Sequence, residues 1–75
     1  MTTADSVQEL ALSLARLDVE RGDAVRKVES ACGGRRVAVV RARQMMMSSL
    51  EDDPEQPDTP GAIAILDDLL ARLPA

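Results

Sequence analysis

Five groups of residues in this chain could carry chemistry: one thiol, a run of three thioethers, two acidic clusters and a basic block. Cys32 lies beside Gly33-Gly34-Arg35-Arg36, and a thiol near bases is activated. Against that, Cys32 continues the apolar stripe Val25, Val28, and a helix C-terminus disfavours a thiolate. The expected state is a buried, inert thiol. Met45-Met46-Met47 invites a copper reading. On a helix these side chains point about 100° apart and cannot converge on one ion, so adaptable packing is expected instead. Glu51-Asp52-Asp53 and Asp67-Asp68 lack the ligand spacing of a calcium loop. The chain has no histidine and a single cysteine, which leaves a structural zinc site without ligands. No base stands ready to activate a serine, and the Gly pair is too short to cradle a phosphate. No catalytic, cofactor or metal residues are therefore expected, and the chain reads as non-catalytic.

What remains is the segment GGRRVAVVRARQMMMSSL, residues 33–50, which contains no acid. Read as a helix from Val37, it gathers Val39, Val40, Met46, Met47 and Leu50 into a sector from about 180° to 300°, while Val37 and Met45 fall elsewhere. Apolar groups thus surround much of the circumference. The candidate interaction residues are Val37, Val40, Met45, Met46, Met47 and Leu50. The arginines of the same segment, Arg35, Arg36, Arg41 and Arg43, form a second candidate set, for nucleic-acid phosphate.

The elements that must position these residues are helices. The absence of Phe, Tyr and Trp leaves a core of Leu, Val, Ile, Ala and Met, and Ala and Leu lie high on the helix-propensity scale. The same absence removes the side chains that stack on nucleobases. Val7, Leu10, Leu14 and Leu17 recur at three-four spacing, and Leu17, Arg21, Val25, Val28, Cys32 continues it. The spacing predicts one long helix over about 4–32, started by a Ser6-x-x-Glu9 capping box, or by Asp5 or Thr3. The weak point is Gly22, which costs a helix about 1 kcal/mol; a break there would leave Asp23 to cap a second helix. Gly33-Gly34 then reverses the chain. A second helix covers about 35–51 and packs back as a hairpin, with Val28 facing Val39 and Val40, and Leu17 facing Leu50. EDDPEQPDT, about 52–59, is an acidic proline-containing loop. A last helix, about 60–73, starts with Pro60 behind an Asp58 or Thr59 cap and carries Ile63, Leu66, Leu69, Leu70 and Leu73 until Pro74. The expected fold is all-α, a small three-helix bundle in one domain.

One alternative geometry bears on function. Val37-Ala38-Val39-Val40 is β-friendly. As a strand it would need a second copy to pair with, and strand, helix, loop, helix resembles the element order of ribbon-helix-helix DNA-binding dimers. The resemblance covers element order alone. A helix-turn-helix around Gly33 is a comparable option. The acidic last third, with net charge −6 from Glu51 onward against +4 over 35–50, argues against the ribbon, as does its lack of polar base-reading side chains, so nucleic acid is the second reading.

Size points the same way as the surplus apolar surface. With 75 residues, a single core contributes only about 3–5 kcal/mol of net stability. One cysteine excludes an internal disulfide, so self-association is expected to cover the central segment. The N-terminus lacks a basic start and an unbroken apolar run, and no stretch reaches the ~18 apolar residues of a membrane span. A cytoplasmic setting without membrane contact is expected. The function read from these features is a non-catalytic helical interaction module, homodimeric, of an adaptor, antitoxin-like or subunit-stabilising kind. The alternative is a dimeric DNA-binding regulator using Arg35–Arg43.

Overall fold

The computed structural model describes residues 2–73, and among them it contains helices and no strand. The described residues form four helices: α1 (Thr3–Arg16), α2 (Arg21–Cys32), α3 (Arg36–Asp52) and α4 (Thr59–Arg72). The β reading of Val37–Val40 is thereby corrected, because these residues lie inside α3. The expectation attached to Pro74 lies outside the described residues.

Two helices stand where the spacing predicts one, and the break falls at 17–20 rather than at Gly22. Asp18 takes the left-handed conformation, φ 56°. Its N–H donates to the carbonyl of Ala15 at 3.2 Å, and the Val19 N–H donates to that of Leu14 at 3.2 Å. This pair of bonds is the Schellman termination of α1, and Val19 and Leu14 both join the core. Gly22 sits inside the first turn of α2, and Asp23 pairs with Arg26 rather than capping. Packing explains the break. One helix over 4–32 would be roughly 43 Å long, whereas the molecule measures 31 × 23 × 23 Å. Its second half would have found nothing to cover Val25 and Val28. Folded back, α2 buries Ala24, Val25, Val28 and Cys32.

The start of α1 is also displaced from its expected position. Thr2 is the N-cap: its Oγ1 accepts from the Asp5 N–H at 3.2 Å, and Asp5 accepts from the Thr2 N–H at 3.1 Å. The Asp5 carboxylate also accepts from the Thr2 hydroxyl at 3.0 Å, and the bonds it receives from the Thr2 N–H and hydroxyl hold it below its ordinary value of 3.8.

The last turn of α1 and the first turn of α4 approach closely. A Cβ at Gly61 would meet that of Ala15 at 3.3 Å, so the missing side chain brings the two backbones together. Helices α2 and α3 flank this pair; each packs on α1 and α4, and they scarcely touch one another. The expected hairpin across the Gly pair, with Val28 facing Val39 and Val40, is therefore corrected. The Gly pair does reverse the chain, with φ 61° and 78° and the Arg35 N–H on the Cys32 carbonyl at 3.1 Å. It sends α3 along α4 and α1 instead of along α2. The core is built from Val7, Leu14, Val25, Val28, Val39, Met46, Leu66 and Leu69.

The chain closes on itself. Its radius of gyration is 11.1 Å, as expected for a compact domain of this length, about 11 Å. Its accessible surface is 4621 Å², against about 4,500 Å² for a folded monomer of this mass. The bundle does not need a partner to be compact.

Candidate functional site

The surface to consider is the outer face of α3, and the buried face fixes where it lies. Ala38, Val39, Ala42 and Met46 are buried. With Val37 at zero they occupy roughly 100–200° around the helix. The outward face is the opposite sector, and it carries Val37, Val40, Gln44, Met47 and Glu51 at three-four spacing. Val37 is 79% exposed and Met47 40%; Val40 is half-buried. Arg41 and Ser48, both exposed, border this stripe.

Of the six apolar residues the sequence singles out, the structure thus brings Val37, Val40 and Met47 to one face. Met46 is corrected: it is 1% exposed, among the largest fully buried side chains. Met45 and Leu50 are half-buried on other sides of the helix. The buried sector lies about a quarter turn from the one that the large side chains mark out. Ala38 and Ala42 give that sector no weight, yet they face inward, where small side chains let α3 approach its neighbours.

The four arginines separate into two pairs. Arg36 donates to the carbonyls of Leu70 at 3.0 Å and Leu73 at 3.3 Å. It caps the C-terminal end of α4, where the helix dipole favours a cation. Arg43 pairs with Asp67 of α4. Arg35 and Arg41 are exposed and have no ion-pair partner among the described residues. Two open grooves flank them. One, of about 390 Å³, lies between Thr2–Ala4 and the start of α3, bounded by Arg35, Val37 and Arg41. The other runs along α3 past Val37, Val40, Arg41 and Gln44.

A polar latch that sequence reasoning passed over holds the far end of α3. Gln56 donates to the Ser49 carbonyl at 3.3 Å and to its hydroxyl at 2.9 Å, and accepts from the Thr59 hydroxyl at 2.6 Å. Thr59 is buried, and this bond satisfies its hydroxyl. A glutamine between two prolines in an acidic stretch was the available signal. Asp58 occupies the N-cap of α4, but its carboxylate accepts from Arg16 rather than capping the helix.

Cys32 is buried, and its Sγ donates to the Glu29 carbonyl at 3.3 Å. Among the described residues no three His, Cys, Asp or Glu side chains converge as metal ligands, and no helix is long and apolar enough to cross a membrane. Compared with known proteins, the chain matches no family model, no curated protein and no solved structure.

Proposed function

We propose that the protein is a non-catalytic helical interaction module that self-associates through the outer face of α3. One observation carries the reading: Val37, Val40 and Met47, the apolar side chains of that face, share a single stripe, with exposed Arg35 and Arg41, in no ion pair among the described residues, beside it. Fully covering a side chain such as Val37 is worth roughly 1.5–3 kcal/mol. The single chain is already compact. Covering this face serves binding, not completion of the fold. Adaptor, antitoxin-like and subunit-stabilising roles all use such a face. The nucleic-acid alternative has less support, since two of its four arginines are engaged on α4.

Sedimentation equilibrium tests the reading. The mass is expected to rise from 8.1 kDa towards twice that value with concentration, and Val37→Asp with Met47→Asp to hold it at the monomer. A particle that stays monomeric into the millimolar range would remove the proposal. Salt-sensitive duplex binding lost on Arg35→Ala and Arg41→Ala would install the alternative.

A further inference from the structure

We infer that two copies pair through α3 in antiparallel orientation, about a two-fold axis near the level of Gln44. The inference rests on the self-association reading and adds the orientation and the force that sets it. The outer stripe Val37, Val40, Gln44, Met47, Glu51 has Gln44 at its midpoint. Charge is distributed unequally about that midpoint. The end nearer the Gly turn carries Arg35 and Arg41; the other carries Glu51, Asp52 and Asp53. All five are exposed, and none has an ion-pair partner among the described residues.

This polarity makes the face complementary to itself in one orientation only. Laid antiparallel, the arginine end of each helix meets the carboxylate end of its partner, at both ends of the contact by symmetry. The helix dipoles also oppose, which places each positive N-terminus beside the partner's acids. Laid parallel, arginine faces arginine and carboxylate faces carboxylate. Opposite charges across a helix–helix contact fix orientation more than affinity, and the apolar side chains of the stripe supply the burial. An isologous pair of this kind closes on itself and leaves no free face to propagate.

The experiment separates the orientation from the association. In a Cys32→Ser background, Val37→Cys protein is treated with a short bismaleimide, alone and mixed with Glu51→Cys protein. In the antiparallel pair the two Val37 positions lie roughly 21 Å apart along the helix. Val37→Cys alone should then give no covalent dimer, while the mixture does. Added salt should weaken association by screening attraction, and Arg35→Glu with Arg41→Glu should weaken it about tenfold or more. Helix content by circular dichroism confirms that these surface variants are folded. A covalent dimer from Val37→Cys alone, or association strengthened by salt, would overturn the orientation and leave self-association standing. A monomer at every concentration overturns both, and assigns the face to a different protein.

Discussion

Arg36 has the most consequential side chain in the basic segment, and its consequence is internal. It supplies donors to the Leu70 and Leu73 carbonyls, which the end of α4 leaves without helical partners. Arg36→Ala is expected to cost about 1–2 kcal/mol, read from denaturant unfolding, whereas Arg35→Ala should be near neutral. Asp18 shows the opposite case, a residue tolerated rather than favoured. At φ 56° a glycine would sit without the Cβ clash, so Asp18→Gly should stabilise by about 1 kcal/mol. For a chain this short that shift raises the melting temperature by roughly 4–8 °C. Asp5 contributes a pH dependence of known sign. Its carboxyl is held below 3.8 by hydrogen bonds from the backbone N–H and the side chain of Thr2. The stabilisation is complete above the ordinary carboxylate value and is lost as pH falls through the depressed one. Asp5→Asn should remove that portion of the acid destabilisation, and a flat difference between the two melting curves across this range would contradict the assignment.

At the scale of elements, the loop between α3 and α4 is fastened rather than merely connecting. Gln56 spans Ser49 and Thr59, and its removal strands a buried hydroxyl. Gln56→Ala should cost about 1–2 kcal/mol and speed amide exchange at the α3–α4 junction; equal protection in both proteins would show that the latch carries no weight. Helix α1 ends by backbone hydrogen bonds with an aspartate in the left-handed position. Helix α2 ends at a Gly pair, where positive φ carries no penalty. The same turning task is met once with strain and once without it. That difference explains why the second reversal is visible in the sequence and the first is not.

At the scale of the whole molecule, the chain is compact without a partner. Its radius of gyration and accessible surface are those of a self-contained domain. The double variant Val37→Asp, Met47→Asp should accordingly remain folded and unfold cooperatively, within a few degrees of the parent protein in dilute solution. Unfolding of this variant at room temperature would mean that the outer face of α3 is needed for the fold itself. Charge is organised at the same scale. Arg16–Asp58, Arg21–Asp68 and Arg43–Asp67 tie the first three helices to α4 and the turn preceding it. These pairs are exposed, so each adds little stability. They engage one arginine from each of the first three helices, while Arg35 and Arg41, like Lys27 and Arg72, are in no ion pair among the described residues.

The amino-acid sequence by itself determined the class of fold and the place of the strong punctuation. Helical propensity, the absence of aromatic residues, the Gly pair and the proline-bearing acidic stretch are local properties, and local properties survive in any packing. It also marked the stretch holding Val37, Val40 and Met47, because apolar side chains spread around a circumference are visible without coordinates. Only the tertiary structure decided which sector of α3 faces inward. Alanine has little hydrophobic weight, and its small size matters only when a neighbouring helix stands against it. Only the tertiary structure broke the first segment at 17–20, since a continuous three-four stripe cannot reveal that nothing is available to cover its far half. It alone engaged Arg36 and Arg43 on α4, because partners 34 and 24 residues away along the chain leave no local pattern to read.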